Sequence, residues 1–156
     1  MSIQDLGSIG ELLGSIAVLI TIVYLAVQIR QNTRALHTAT RETSISRTID
    51  FARNFAKDPQ QSELYLSGLQ NYPDMGQPDK FRFEQILFSL AVDWVDQQTN
   101  YNEGQLDQDY WSGNIVNMKG VFNTPGGRQW FYSKAAASLP KKFVDFVERE
   151  IVDGAA

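Results

Sequence analysis

The chain has no cysteine, a single histidine and no long block of basic residues. The lack of cysteine excludes disulfides, thiolate zinc sites and thiol nucleophiles. The net charge of −4 argues against general nucleic-acid binding, which needs a basic surface. His37 lies in a Thr-containing polar segment, and we interpret it as a solvated side chain rather than a catalytic one. We therefore expect no cofactor, no bound metal and no enzymatic activity.

Strand patterns and internal repeats are also lacking. No segment alternates apolar and polar residues as a half-buried strand does, whereas apolar residues recur at helical spacing through most of the chain. Aromatic residues make up 12% of the chain, so the part outside its one long apolar run is expected to fold rather than stay disordered. The sequence therefore predicts an all-α fold.

The one long apolar run extends from Ile9 to Ile29. A helix over these residues is about 31 Å long, which matches a hydrocarbon core of about 30 Å. Ser15 and Thr21 lie inside the run, where their hydroxyls can bond to helix carbonyls. We predict a transmembrane helix at residues 9–29. The alternatives are a cleaved signal peptide, disfavoured by the lack of preceding basic residues and of a cleavage site, and a buried helix of a soluble protein.

The orientation of this helix is predicted from its flanking charges. Arg30, Arg34, Arg41 and Arg47 follow the run, and no Lys or Arg precedes it. Because basic residues are retained on the cytoplasmic side, residues 1–8 form a short external N-terminus and residues 30–156 a cytoplasmic helical domain. The expected location is the bacterial inner membrane, with a single pass. No Pro or Gly occurs between Arg30 and Ala56, so the first helix of the domain is predicted to be continuous with the span.

Capping residues and helix breakers predict the remaining elements. The predicted N-caps are Asp79, Asp107 and Thr124, and Gly104 is a predicted C-terminal glycine. Helices are expected over 61–71, 80–103 and 141–153, with two more beginning after Asp107 and Thr124. The helix over 80–103 is apolar on nearly every side, which is typical of a central core helix. The fold class is therefore a single N-terminal transmembrane helix continuing into a cytoplasmic bundle of about five or six helices.

Two motifs resemble those of a group of small proteobacterial proteins with no known activity. The first comprises Gly10-Glu11-Leu12 followed by Gln28-Ile29-Arg30-Gln31-Asn32-Thr33-Arg34, and the second is Gly126-Gly127-Arg128-Gln129-Trp130-Phe131. In the second motif Phe131 stands where a second Trp is expected. The resemblance implies a membrane-anchored helical protein and brings no catalytic residues.

Small residues recur on the outer half of the apolar run. Gly10 and Gly14 form a GxxxG pair, and Gly7 and Ala17 lie near it. Small residues let two helix backbones approach closely within lipid, so we expect this face to contact another helix, either a second copy or a different membrane protein. The alternative is a flexible outer end with no partner. Glu11 is interpreted as a polar group at the interface rather than a proton carrier.

A polar collar follows the run and consists of Gln28, Arg30, Gln31, Asn32 and Arg34. Each basic residue near anionic headgroups contributes about 1 kcal/mol of attraction, so the arginines are expected to fix the topology. The amides of the collar are expected to hydrogen-bond between adjacent helices in an oligomer.

Acidic and aromatic residues of the domain offer further hypotheses. Asp93 and Asp96 share one helix face, and Glu84 precedes them on the same helix. Paired carboxylates can bind a metal or act in acid–base catalysis, but the Glu-x-x-His pairs of di-metal bundles are lacking. We expect the two aspartates to pair with basic residues or to face water; the expected partners are Arg53, Arg128 and Lys134.

The predicted function is that of a non-enzymatic, inner-membrane-anchored assembly protein, either a homo-oligomer or an accessory subunit of a larger membrane complex. Its expected partners are membrane lipid and either a second copy or another membrane protein. The alternative is a membrane-anchored sensor or binding module that holds a small apolar ligand in an aromatic-lined bundle. That alternative depends on Trp94, Trp111 and Trp130, which are otherwise interpreted as core residues. A third hypothesis is an enzyme that uses Asp93, Asp96 or Glu84.

Overall fold

A computed structural model of the chain describes residues 3–152, with side chains described from Gly7 onward. Every regular element within that range is helical and none is a strand, so the predicted all-α class is confirmed. The chain divides into two compact units, one up to Ala39 and one from Thr40 onward. Met1, Ser2 and Asp153, the predicted end of the last helix, lie outside the described residues.

Six helices follow one another along the described residues. Helix α1 is Ile3–Lys57, α2 is Pro59–Asn71, α3 is Gln77–Asn102 and α4 is Gln108–Phe122. Helix α5 begins as Pro125–Trp130, passes through a π-helical segment at Phe131–Ala135 and ends as Ala136–Ser138. Helix α6 begins as Lys141–Phe146 and continues as the π-helical Val147–Val152. A 3₁₀ turn at Tyr72–Asp74 links α2 to α3.

Side-chain caps begin three of these helices. The carboxylate of Asp107 accepts a hydrogen bond from the Tyr110 amide at 2.8 Å, and the Thr124 hydroxyl accepts one from the Gly127 amide at 3.1 Å. Both predicted caps are therefore confirmed. Asp58 caps α2 in the same way. Gly104 has a φ of +72°, the left-handed conformation that a glycine after a helix end adopts most readily.

The predicted start of α3 was wrong. The helix begins at Gln77 with Gly76 as its N-cap, so Asp79 lies inside the first turn instead of capping it. Pro78 explains the earlier start, because its fixed φ and missing amide hydrogen suit the first turn of a helix. Helix α2 likewise begins at Pro59 rather than at Gln61.

The unit up to Ala39 contains the apolar run of α1. Large apolar side chains between Ile9 and Ile29 are 44–65% exposed, and this helix is the one among the described residues that is long and apolar enough to cross a membrane. The Ser15 hydroxyl donates to the Leu12 carbonyl and the Thr21 hydroxyl to the Ala17 carbonyl, each at 2.8 Å. The expectation that these two hydroxyls bond within the helix is thus confirmed.

The core of the other unit is built around α3. Phe83, Leu87, Ala91 and Trp94 are buried along one face of this helix, whereas Phe81, Phe88 and Val92 are 41–61% exposed. The prediction of a core helix covered on nearly every side was therefore wrong. Residues from α4, α5 and α6 complete the core, among them Met118, Phe122, Trp130, Phe131, Phe143, Val147 and Ile151. All three tryptophans are at most 5% exposed and therefore belong to the core, as expected.

Helices α2 and α5 approach each other at two glycines. A Cβ atom added at Gly126 would overlap the Gly68 carbonyl oxygen, and one added at Gly68 would overlap the ring of Phe83. Gly126 therefore lets α5 pack on the backbone of α2, and Gly68 makes room on α2 for the Phe83 ring of α3.

Candidate functional site

A cleft of about 910 Å³ lies in the unit that begins at Thr40. Its walls come from the last part of α1 and from α2, α3 and α4. The apolar lining includes Phe51, Tyr65, Leu69, Leu90, Trp94 and Val121. Small-molecule sites in proteins are typically clefts of about 300–1,000 Å³ with mainly apolar walls and a few polar groups. The cleft has both the size and the kind of lining that such a site needs.

A chain of polar contacts runs along one wall of the cleft. The Arg47 guanidinium on α1 contacts Asp96 at 2.7 Å and Asp93 at 3.3 Å, both on α3. The Gln97 side-chain amide in turn donates a hydrogen bond to the other carboxylate oxygen of Asp93. Asp93 therefore accepts hydrogen bonds from both sides, and Gln97 is held in one orientation.

Two residues that line the cleft each have a buried polar atom without a hydrogen-bond partner within the described part of the chain. These atoms are the side-chain oxygen of Gln97 and the side-chain nitrogen of Asn114. Gln97 is 1% exposed and Asn114 is 5% exposed. Buried polar atoms are nearly always hydrogen-bonded, so an unpaired acceptor and an unpaired donor together call for an explanation.

Ring contacts on either side show that Gln97 and Asn114 lie at the same level of α3 and α4. Toward the α3–α4 turn, the rings of Tyr101 and Trp111 stack with centroids 5.4 Å apart. Away from the turn, Trp94 and Phe122 contact each other at 5.5 Å. Gln97 and Asn114 lie between these pairs along two antiparallel helices, and therefore at a similar level of α3 and α4.

Burial favours the neutral form of two side chains that line the cleft. Burial raises the pKa of the Asp93 carboxyl above its usual range, although Arg47 opposes that shift. Burial also raises the pKa of the Tyr65 hydroxyl to about 12, so this phenol stays neutral at physiological pH. Among the described lining residues Arg47 is the one basic side chain, against two carboxylates, so the wall carries a net negative charge.

The predicted partners of the two aspartates were wrong. Asp93 and Asp96 pair with Arg47, whereas Arg53 contacts Asp50 at 3.6 Å and Arg128 contacts Asn123 at 3.3 Å. The reason is that α1 continues beside α3, a helix contact that residue spacing does not show. Glu84 is separate from this cluster and accepts a hydrogen bond from the Tyr72 hydroxyl at 2.7 Å. Among the described residues no group of three or more acidic or histidine side chains could hold a metal.

The predicted contact residues of α1 are all on open surface. A Cβ atom added at Gly7, Gly10 or Gly14 meets no described atom within 4 Å, and Ala17 is exposed. In the collar, Arg30, Gln31, Asn32 and Arg34 are exposed, and the Gln28 amide donates to the Tyr24 hydroxyl at 3.3 Å within the same helix. The contacts predicted for both groups stay predictions.

Sequence reasoning did not single out Gln97 and Asn114, and it treated Arg47 only as a topology residue. One signal was present in the sequence. Gln97 follows Asp93 by one helical turn, so the amide and the carboxylate share one face of α3.

The chain matches no protein-family model, no curated protein and no solved structure. The resemblance to the group of small proteobacterial proteins therefore rests on its two motifs alone, and the site is interpreted from its own geometry.

Proposed function

We propose that the protein is a membrane-anchored, non-enzymatic binding module that holds a small molecule in the cleft of its helical domain. The observation that carries this proposal is the cleft of about 910 Å³ with its largely apolar lining. A bound molecule would remove part of that apolar lining from water, which is favourable.

The anchor in this proposal is the apolar run of α1. Its large side chains are exposed along the whole stretch from Ile9 to Ile29, and exposed apolar surface of this extent is unfavourable in water. Insertion into a bilayer covers that surface, and it is possible because the helix satisfies its own backbone hydrogen bonds. The arginines that follow the run support an inner-membrane location with the helical domain in the cytoplasm.

Gly120 offers a direct test of ligand binding. It lines the cleft, and a Cβ atom added there meets no described atom within 4 Å, so Gly120→Leu adds a side chain to the lining without a clash at its Cβ atom. The matched control is Gly113→Leu, on the same helix and equally open but away from the cleft. The full chain in lipid nanodiscs is screened by ligand-observed NMR against neutral, cationic and anionic fragments, with empty nanodiscs as background.

We expect some fragments to bind the natural chain and Gly113→Leu but not Gly120→Leu. If no fragment distinguishes Gly120→Leu from the other two chains, the cleft is not a binding site and the proposal is wrong.

Assembly within the membrane is a second candidate function, as a homo-oligomer or an accessory subunit. It is favoured by the open surface at Gly7, Gly10 and Gly14, where no described atom lies near the glycines. Gly14→Leu should block close approach of a second helix, whereas Ala26→Leu adds the same side chain on a different face of the same helix. Native mass spectrometry of nanodisc samples should show more than one copy for the natural chain and Ala26→Leu, and one copy for Gly14→Leu. A natural chain that is monomeric would contradict self-assembly.

A further inference from the structure

We propose that the ligand of the cleft is an organic cation, in which an amine or a quaternary ammonium group is joined to an apolar body. This inference rests on the proposed binding function and specifies the chemistry of the ligand. It follows from the charge of the lining, from the contacts of Asp96 and from the way that polar and apolar residues are distributed over the cleft.

The charged residues of the lining sum to a net negative charge. They are Arg47, Asp93 and Asp96, and the guanidinium contacts the two carboxylates at 3.3 and 2.7 Å. A charged group that approaches one of these side chains therefore lies near the other two as well. An anion meets two repulsive charges and one attractive charge, whereas a cation meets the reverse. The charges of the lining therefore favour a cation.

Asp96 has a carboxylate oxygen that is available to a ligand. Arg47 and Asn100 both donate to its Oδ2 atom, at 2.7 and 3.4 Å, so Oδ1 accepts no hydrogen bond from the described residues. Asp93 differs, because one of its oxygens accepts from Arg47 and the other from Gln97. Since the Asp96 side chain lines the cleft and is 49% exposed, we assign the contact with the cation to Asp96.

The lining changes from charged and exposed to apolar and buried. The side chains of Arg47 and Asp96 are each about half exposed, whereas Leu69, Trp94 and Val121 are at most 8% exposed. A ligand charge placed among the buried apolar residues would lose its hydration, which is costly. The best match is therefore a molecule that keeps its charge beside Asp96 and places its apolar body against the buried residues.

Two further features of the lining distinguish a cation from an anion. Phe51, Tyr65 and Trp94 contribute aromatic rings, whose faces attract cations. Burial raises the pKa of the Asp93 carboxyl, so a cation nearby would stabilise its charged form, whereas an anion would destabilise it. Both features act in the same direction as the net charge.

Three molecules with one aromatic body and different head groups test the inference. They are 3-phenylpropylamine, 3-phenylpropan-1-ol and 3-phenylpropanoate, which are cationic, neutral and anionic at neutral pH. Binding of each to the full chain in nanodiscs of uncharged lipid is measured by titration at low ionic strength, with empty nanodiscs subtracted. We expect the amine to bind about tenfold more tightly than the alcohol, as a partly exposed ion pair and aromatic faces allow, and the carboxylate to bind most weakly.

Two substitutions should change this preference in opposite directions. Asp96→Asn removes one negative charge and keeps the shape of the side chain, so the preference for the amine over the alcohol should fall to about twofold or less. Arg47→Gln removes the positive charge, so the preference should rise to about thirtyfold. A purely structural role of the two residues would not produce opposite changes.

The matched control is Asp79→Asn. Asp79 lies on the same helix as Asp96 but does not line the cleft, so this variant changes the net charge equally and should keep the tenfold preference. Circular dichroism confirms that each variant is folded.

The possible outcomes separate this inference from the proposed function. If the alcohol or the carboxylate binds as tightly as the amine, the ligand class is wrong, and the binding module stands as long as Gly120→Leu abolishes that binding. The ligand class is also wrong if Asp96→Asn keeps the preference, or if Asp79→Asn loses it equally. Binding of the amine that survives Gly120→Leu would place its site outside the cleft and contradict both proposals. If none of the three molecules binds, the ligand class is wrong, and the fragment screen decides whether the cleft binds another class.

Discussion

The glycines of the helical domain differ in the space around them. Gly68 and Gly126 have neighbours where a Cβ atom would be, whereas Gly113 and Gly120 have none within 4 Å. The same residue type therefore has opposite roles in one domain. Gly126 permits close packing of α5 on α2, and Gly68 permits close packing of the Phe83 ring of α3 on α2. At the other two positions glycine only weakens α4.

Substitution of the packed glycines should destabilise the domain. Gly126→Ala places a methyl group on the Gly68 carbonyl, and Gly68→Ala places one on the buried Phe83 ring. Overpacking of this kind costs about 1–3 kcal/mol, and the cost is at its upper end where the obstacle is backbone. Urea unfolding followed by tryptophan fluorescence should show a lower midpoint for both variants.

The matched control is Gly113→Ala. Its methyl group meets no described atom, and alanine favours an exposed helix by about 1 kcal/mol over glycine, so its unfolding midpoint should rise. A lower midpoint for Gly113→Ala would contradict the open space at Gly113. An unchanged midpoint for Gly126→Ala would contradict the close contact between Gly126 and Gly68.

Two tyrosines should titrate late. The pKa of Tyr65 is raised to about 12 by burial, and that of Tyr72 to about 12 by burial and then by its hydrogen bond to Glu84. Because the folded state favours the neutral phenol, this contribution to stability is complete below pH 10 and is lost as the pH rises through about 12. Ultraviolet titration of phenolate should show a late step that is smaller in Tyr65→Phe and in Tyr72→Phe. Loss of the step only after both substitutions would agree with these assignments, and an unchanged step in either single variant would not.

At the scale of elements, the clearest link between α1 and α3 is the contact of Arg47 with Asp93 and Asp96. The side chains of Arg47 and Asp96 are each about half exposed to water. Exposed ion pairs contribute about 0–1 kcal/mol, because water screens them and ordering two long side chains costs entropy. The geometry of the contact is thus more informative than its strength.

A double-mutant cycle should measure that small coupling. Arg47→Ala and Asp96→Ala, alone and together, should give an interaction energy of about 0.5–1 kcal/mol that decreases with added salt. Arg53→Ala is the control, since Arg53 lies on the same helix and its ion pair among the described residues is with Asp50, at 3.6 Å. Equal effects of Arg47→Ala and Arg53→Ala, with no coupling to Asp96, would contradict the contact between α1 and α3.

The elements also show how much could be predicted from the sequence. The helix starts after Asp107, Thr124 and Pro140 could be predicted, because capping residues and prolines act on the few residues next to them. The start of α3 was missed because Pro78 and Asp79 are both good first-turn residues and only the fold shows which turn is first. The partner of Asp93 and Asp96 could not be predicted, since it depends on which helix packs beside α3.

At the scale of the whole molecule, the cleft was expected only as an aromatic-lined alternative. The approach of Gln97 on α3 and Asn114 on α4 to the same cleft depends on how the helices pack, which the spacing of Asp93 and Gln97 by one helical turn does not show. The long apolar helix, by contrast, could be predicted from the sequence, because hydropathy and length are properties of one continuous segment. Local features of this chain are therefore predictable from sequence, and features shared by several helices are not.

The lack of cysteine makes the predicted orientation testable. A cysteine introduced by Ser2→Cys should react with a membrane-impermeant thiol reagent in spheroplasts, because residues 1–8 are predicted to be external. A cysteine introduced by Ser138→Cys, in the exposed end of α5, should react only after the membrane is disrupted. The natural chain serves as the unlabelled control. Labelling of Ser138→Cys in intact spheroplasts would contradict the predicted topology and indicate the opposite one.

The π-helical segment at Phe131–Ala135 has a consequence for how this chain tolerates changes in length. A π turn holds one residue more than an α turn, so removal of one residue there restores the α ladder and leaves both flanking faces as they were. Removal of one residue inside α3 would instead rotate every later side chain of that helix by roughly a quarter turn or more. Chains that descend from a common ancestor with this one should therefore align with single-residue gaps at 131–135 and without gaps in α3.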